Sequence, residues 1–165
     1  MNEENRKEFP TTLVISSVIV LLVIIWIFKP RTDILPNQTP LIACRSNLKL
    51  LGLALQMYAD ENSGSYPQPE KWCDLIKPYY KVEKIFHCPA IKEVKCYYAI
   101  NPNCEPNSPP DTVLLFETKD GDWNLTGGKE LLTTENHTDN KCNVLYNDYS
   151  VEIVKKEEIQ NLRWE

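Results

Sequence analysis

Glycine is scarce in this sequence, and so are the catalytic motifs that depend on it. Only five glycines occur among 165 residues, and none forms the glycine-rich loop that cradles phosphates or the G-x-S-x-G turn of serine hydrolases. His87 and Cys88 are neighbours in the sequence, but in an extended segment their side chains would point to opposite faces, which disfavours an activated thiol. The sequence therefore predicts a protein that is not an enzyme and that needs no cofactor.

Clusters of positive charge are also missing. The chain has 18 Lys and Arg against 23 Asp and Glu, a formal net charge of −5, and its basic residues are scattered among glutamates. Nucleic-acid binding requires Lys and Arg gathered against phosphate. We expect no nucleic-acid partner.

No two cysteines form a C-x2-C pair, although the sequence has six: Cys44, Cys73, Cys88, Cys96, Cys104 and Cys142. An even number in a small domain favours disulfides and an oxidising compartment, and all six are candidates. Reduced cysteines acting as small core residues are the alternative. Zinc is less favoured, because Cys88, Cys96 and Cys104 are spaced too widely for a knuckle and His87 is the only nearby imidazole. We expect no metal site.

One long hydrophobic run is present, from Thr11 to Phe28, and it contains no charged residue. Its length as a helix is about 27 Å, enough to span the core of a bilayer. No small-residue cleavage site follows it, so we expect an uncleaved anchor. The run divides the chain into a charged tail (1–10), the transmembrane anchor (11–28), a proline-containing linker (29–40) and a globular domain (41–165).

The segment from Leu41 to Glu61 carries the helical pattern on which the domain is built. Apolar residues recur at helical spacing at Leu41, Cys44, Leu48, Leu51, Leu55 and Tyr58, and such a stripe indicates a helix packed on a core. Pro40 is expected to precede the helix. Gly64 is expected to end it, because glycine adopts positive φ freely.

Short segments after this helix predict a small antiparallel sheet. Strand patterns occur at 84–88, 96–100 and 112–117, and a hairpin is predicted over 142–154 with its turn at Asn147-Asp148. A short helix is expected over 69–80 with Trp72, Leu75 and Ile76 inward, and a final helical turn is expected to pack Ile159, Leu162 and Trp164. The predicted fold class is α+β: a transmembrane helix, then a long helix on an antiparallel sheet.

Several of these segments together resemble a known family. They are CRSNLKLLGLALQMYADENSGSYP, IFHCPA, YYAINPN, TVLLFE and NVLYNDYSVEIV, and they are similar to the pseudopilin-like proteins of planctomycetes, which carry a signature of His, nine residues and Asp-Gly. The resemblance implies a type IV pilin-like module related to type II secretion pseudopilins. It also identifies His137 and Asp148 as the signature positions.

The chain departs from the family pattern in three places. The prepilin peptidase glycine is absent near Phe9, and no glutamate occurs in the early part of the hydrophobic run. Ten residues instead of nine separate His137 from Asp148, and Tyr149 stands where the signature has glycine. The globular module is therefore retained more fully than the assembly signals.

Two candidate sites can each be interpreted as a structural feature or as a ligand-binding position. His137 is expected to be a loop histidine hydrogen-bonded to the backbone, because no cysteine or carboxylate lies at ligand spacing in the sequence, and Asp148 is expected to form a turn. Asp120, Asp122 and Asn124 form an acidic loop with too few oxygen ligands for calcium. A solvated loop is the favoured interpretation there.

The sequence predicts a single-pass protein of the bacterial inner membrane with its C-terminal domain outside the cytoplasm. Its partners would be the lipid bilayer and, on the resemblance, like subunits or secretion or pilus machinery. The predicted function is a pseudopilin-like structural or assembly protein. The alternative is a tethered extracytoplasmic ligand-binding or sensory module that no longer assembles into filaments.

Overall fold

A computed structural model describes residues 21–22, 38–80, 82–93 and 95–165. The chain divides after Ile34 into two compact units, of which the globular one is Leu35–Glu165. Within the described ranges no helix is both long enough and apolar enough to cross a membrane. The predicted anchor, Thr11 to Phe28, lies outside the described residues apart from Leu21 and Leu22, and so do the charged tail and most of the linker.

The first helix of the globular unit, α1, spans Gln38–Glu61. It begins earlier than the predicted Leu41 and includes Pro40 in its first turn, where a missing N–H breaks no intrahelical bond. The predicted end is confirmed: Gly64 has a φ of 79°, and its N–H donates to the Ala59 carbonyl at 2.8 Å. This bond closes the last turn of the helix.

Four strands follow and form one antiparallel sheet in the order β1-β2-β3-β4. They are β1 (Tyr98–Ile100), β2 (Val113–Glu117), β3 (Lys141–Tyr146) and β4 (Val151–Lys155). Phe116 lies opposite both Ala99 and Val144, so β2 is an inner strand, and all five of its residues are buried. The predicted α+β class and three of the four predicted strand regions are confirmed.

Helix α1 packs on one face of this sheet along its predicted stripe. Leu48, Leu51 and Leu55 are fully buried in a core that also contains Trp72 and Leu145. Gly52 stands at the closest approach, where an added Cβ would lie 3.0 Å from Cδ1 of Leu145. A glycine in mid-helix costs about 1 kcal/mol relative to alanine, and here it lets the helix backbone approach β3.

The strand predicted over 84–88 is wrong. Residues Glu83–Phe86 form a 3₁₀ turn that buries the adjacent Ile85 and Phe86 together, which the alternating faces of a strand do not allow. The outer edge of β1 is also occupied, because the Ile100 N–H donates to Leu125 and the Ile100 carbonyl accepts from Gly127.

The predicted short helix over 69–80 is present in three pieces, with α2 (Trp72–Ile76) between 3₁₀ turns at Pro69–Lys71 and Lys77–Tyr79. Trp72 and Ile76 point inward as predicted. Cys73 is the third buried residue of α2, whereas Leu75 is only half-buried.

The opposite face of the sheet is covered by the end of the chain. Lys156–Asn161 forms a 3₁₀ helix, and Ile159, Leu162 and Trp164 pack on a second core that contains Phe116 and Val144. This confirms the predicted packing of the C-terminal turn.

The β3–β4 hairpin turns as predicted at Asn147-Asp148, but the positive φ falls on the next residue. Tyr149 has a φ of 62°, and its N–H donates to the Tyr146 carbonyl at 2.9 Å. Asp148 is a turn former, since its carboxylate accepts the Ser150 N–H at 2.9 Å. Tyr149 therefore occupies the left-handed position that usually requires glycine or asparagine.

Candidate functional site

Four side chains from distant parts of the sequence converge beneath α1. Cys44 lies on α1, Cys88 follows the 3₁₀ turn at 83–86, Glu117 ends β2, and His137 precedes β3. Each offers one ligand atom, and these four atoms all lie within 4.8 Å of one another. We call these four residues the thiol–histidine cluster.

Local hydrogen bonds bring the four segments together. Asn47, one turn along α1 from Cys44, donates from Nδ2 to the His87 carbonyl at 2.9 Å, which fixes the loop that carries Cys88. On the other side, the Thr133 N–H donates to the Glu117 carbonyl at 3.1 Å, and Asn136 Nδ2 donates to the Thr118 carbonyl at 2.8 Å. The segment that ends at His137 is thus attached beside the end of β2.

The distances within the cluster are short. The sulfurs of Cys44 and Cys88 are 2.9 Å apart, and Cys88 Sγ lies 3.9 Å from His137 Nε2. Nε2 is in turn 2.7 Å from Oε2 of Glu117. This last contact is an ion pair when His137 is protonated, and Oε2 accepts no well-directed hydrogen bond among the described residues.

The cluster is closed to solvent. The Glu117 and His137 side chains are 0% and 1% exposed, and both cysteines are fully buried. The second Glu117 oxygen, Oε1, accepts from the backbone and side-chain N–H groups of Asn143. Asn143 Nδ2 also donates to the Leu41 carbonyl of α1 at 3.0 Å. Asn143 therefore holds the carboxylate with its other oxygen, Oε2, toward the cluster.

Burial makes negative charge costly in this cluster. It raises the pKa of Glu117, and the hydrogen bond to Cys88, with burial, raises the pKa of Cys44. Cys88 is the exception: the bond from Cys44 lowers its pKa to about 5, helped by His137 and opposed by burial. Burial by itself lowers the pKa of His137, but Cys88 and Glu117 offset this and raise that pKa to about 9. These pKa shifts favour a thiolate on Cys88 beside a protonated His137, and they favour the neutral forms of Cys44 and Glu117.

The expectation that His137 is a backbone-bonded loop histidine is wrong. Its Nδ1 has no hydrogen-bond partner among the described residues, and its Nε2 faces Cys88 and Glu117. Sequence spacing gave no ligand partner for His137 because its partners are 20 and 49 residues away along the chain. His87 is outside the cluster, since its Nδ1 contacts the Lys95 carbonyl at 2.7 Å.

The acidic loop that contains Asp120, Asp122 and Asn124 serves as an anchor. Asn124 Oδ1 accepts the backbone N–H groups of Cys73 at 2.8 Å and Asp74 at 3.3 Å, while Asn124 Nδ2 donates to the Asp74 carboxylate. The Asp122 carboxylate accepts the neighbouring Trp123 N–H. Asp122 and Asn124, two of the three candidate calcium ligands, thus already accept hydrogen bonds within the protein.

All six cysteines are buried and free. Cys73 and Cys96 form a second close pair, with their sulfurs 3.9 Å apart. Cys104 Sγ contacts Asn147 Oδ1 at 3.4 Å. The sequence left 15 complete disulfide pairings open. The structure brings Cys44 close to Cys88 and Cys73 close to Cys96, but neither pair is bonded.

Glu117 and Asn143 were missed by the sequence analysis. Glu117 is the last residue of the strand pattern at 112–117, and Asn143 falls within the predicted hairpin at 142–154. The sequence does contain a signal for Glu117. A carboxylate at the end of a buried apolar strand requires a partner, because an isolated buried charge is very costly.

Comparisons with protein-family models, with curated proteins and with solved structures give no match. The resemblance to pseudopilin-like proteins therefore stays a hypothesis.

Proposed function

We propose that this chain is a single-pass, membrane-anchored, pilin-like structural protein whose globular domain lies outside the cytoplasm of a bacterial cell. The observation that carries the proposal is the packing of one long helix, α1, on one face of a four-stranded antiparallel sheet. The pseudopilin resemblance implies this arrangement. The uncharged run from Thr11 to Phe28 supplies an anchor of the right length.

A structural role also agrees with the closed thiol–histidine cluster. A catalytic group must reach its substrate, but the four side chains with the most reactive chemistry are buried. A groove lined by Pro110, Tyr146 and Arg163 has a volume of about 300 Å³ and lies elsewhere. We therefore propose that the protein is not an enzyme.

A tethered ligand-binding or sensory module is the second candidate. The missing prepilin glycine near Phe9 and the absence of an early glutamate in the hydrophobic run favour it. In pilins that carboxylate helps to set the register between subunits, so a chain without it has lost an assembly signal. Both candidates share the anchor and the extracytoplasmic domain.

Membrane attachment is tested with paired arginine substitutions. We expect the wild type to stay in the membrane pellet after alkaline extraction and the variant Ile19→Arg/Val23→Arg to be released, since each central arginine costs about 2.5–3.5 kcal/mol on insertion. The control Asn2→Arg/Asn37→Arg adds the same charge outside the run and should stay in the pellet. Release of the wild type would refute the anchor.

N-terminal processing distinguishes a pilin-like assembly protein from a tethered ligand-binding or sensory module. The chain is co-expressed with a prepilin peptidase, and its N-terminus is then sequenced. A processed and methylated N-terminus supports assembly, whereas an intact Met1 or Asn2 supports the tethered module. Protease digestion of intact spheroplasts reports the side of the membrane, and a domain protected from protease there would refute the extracytoplasmic placement.

A further inference from the structure

We propose that Cys44, Cys88, Glu117 and His137 bind one divalent transition-metal ion, of which Zn²⁺ is the best match, as a closed structural site. Two sulfurs, one imidazole nitrogen and one carboxylate oxygen are a donor set that tetrahedral zinc accepts. All four positions are filled by protein, and a site without an open position serves structure and not catalysis. The proposal does not depend on the membrane anchor.

The geometry of the four ligand atoms fits a common centre. Metal–ligand bonds of 2.0–2.3 Å place tetrahedral ligands about 3.3–3.8 Å from one another. The separations of 2.7 Å, 2.9 Å and 3.9 Å fall on both sides of that range, and all the ligand atoms lie within 4.8 Å of one another. Shifts of less than about 1 Å would therefore seat an ion among the four atoms.

The orientation of Glu117 is a second, independent observation. Its side chain is fully buried, and Oε2 faces His137 without a hydrogen bond. A buried carboxylate oxygen that accepts no hydrogen bond is costly. The 2.7 Å contact with His137 offsets part of that cost when the imidazole is protonated, and a metal ion bound by both side chains would replace that contact. Asn143 holds the other oxygen, as the outer partners of metal-binding carboxylates do.

A disulfide between Cys44 and Cys88 is the competing interpretation. Their sulfur separation of 2.9 Å lies between the bond length of about 2.05 Å in a disulfide and the spacing of about 3.8 Å between two metal-bound thiolates. That distance alone does not distinguish a disulfide from a pair of metal-bound thiolates. A disulfide would use only the two sulfurs, whereas a metal ion would bind all four side chains, and the presence of Glu117 and His137 beside the sulfurs favours the metal.

A metal here would link four segments that are far apart in the sequence. Cys88 lies in a loop, and His137 lies in another loop before β3, while Cys44 and Glu117 belong to α1 and β2. The ion would connect all four segments at one point. Binding to the folded but not the unfolded chain adds stability in proportion to the logarithm of metal concentration over Kd.

The test uses the full-length chain, purified in detergent under reducing conditions and loaded with Zn²⁺. We expect about one tightly held ion per chain by elemental analysis, falling below about 0.1 in Cys88→Ser and in Glu117→Gln. Cys104→Ser and Cys73→Ser remove buried cysteines outside the cluster and should keep the ion. Loss of zinc from Cys73→Ser with retention in Cys88→Ser would place the site elsewhere and overturn the proposal.

Cobalt substitution keeps the test informative if a cluster variant fails to fold. Co²⁺ bound to the wild type should show thiolate-to-metal charge-transfer bands and strong d–d bands typical of tetrahedral coordination, and Zn²⁺ should displace them. Folded, reduced wild type that gives neither bands nor bound zinc would overturn the proposal. A Cys44–Cys88 disulfide found by mass spectrometry of unreduced protein from the native host would also overturn it.

Discussion

Single polar side chains attach several loops of this domain to its helices and strands. Asn124 is the clearest example, because its Oδ1 accepts the N–H groups that begin α2 while its own φ is 60°. It therefore acts as a helix cap supplied from 50 residues away. Asparagine suits both demands, since it tolerates a left-handed backbone and carries an acceptor.

Replacement of Asn124 separates these two contributions. We expect Asn124→Ala to lower the free energy of unfolding by about 1–3 kcal/mol, because two N–H groups lose their acceptor and alanine adopts positive φ poorly. Asn124→Gly keeps the backbone freedom and should cost about 1 kcal/mol less. Urea unfolding followed by fluorescence measures both, with the exposed Asn161→Ala as control. Equal losses for the two variants would show that the backbone conformation contributes nothing.

At the scale of elements, the free edge of the sheet lies on β4, and it is partly covered. The Tyr146 N–H donates to the Ser150 carbonyl. Because hydrogen-bonded positions alternate in an antiparallel pair, the main-chain N–H and C=O groups of Val151, Ile153 and Lys155 point away from β3, toward the free edge. Arg45 of α1 donates to the Val151 carbonyl at 2.9 Å and 3.1 Å, and the Lys155 N–H donates to the Glu158 carboxylate at 2.9 Å. Between the Val151 carbonyl and the Lys155 N–H, only the main-chain N–H and C=O groups of Ile153 remain unpaired among the described residues.

This capping predicts how the domain associates with itself. Arg45→Ala should lengthen the open edge and raise concentration-dependent self-association, because unpaired edge strands recruit other strands. Sedimentation velocity over a concentration series measures the effect. Lys49→Ala removes the same charge from an exposed position on α1 and should behave as the wild type. If both variants associate equally, charge and not the strand edge is responsible.

At the scale of the whole molecule, the globular unit has its own hydrophobic interior. One core lies between α1 and the sheet, and another lies between the sheet and the C-terminal 3₁₀ helix. Every residue of both cores follows residue 40, so the unit Leu35–Glu165 contains what it needs to fold alone. Its unfolding should be cooperative.

Two leucines of α1 test this expectation in the isolated unit 35–165. Leu51 is fully buried, whereas Leu53 is 48% exposed. Leu51→Ala should lower the free energy of unfolding by about 2–5 kcal/mol through the cavity it leaves, and Leu53→Ala by less than about 0.5 kcal/mol. Thermal unfolding by circular dichroism measures both. A gradual transition in the parent unit, or equal effects of the two substitutions, would contradict the packing.

The local elements could be predicted from the amino-acid sequence, because their signals lie within a few residues of one another. The stripe from Leu41 to Leu55 specified α1, Gly64 its end, and the apolar run at 113–117 the inner strand. The failure at 84–88 has a tertiary cause: Ile85 and Phe86 share one core, and residues 125–127 already occupy the edge that a strand there would need. Short apolar segments are decided by the space that the rest of the fold leaves.

The thiol–histidine cluster, in contrast, is a product of long-range packing. Its successive members, Cys44, Cys88, Glu117 and His137, are 20 to 44 positions apart along the chain, and no local rule relates them. Their meeting depends on how α1 crosses the sheet and on where two loops are fixed by Asn47 and Asn136. Periodicity reports which side of an element faces the core, but only the packed fold sets which side chains meet there.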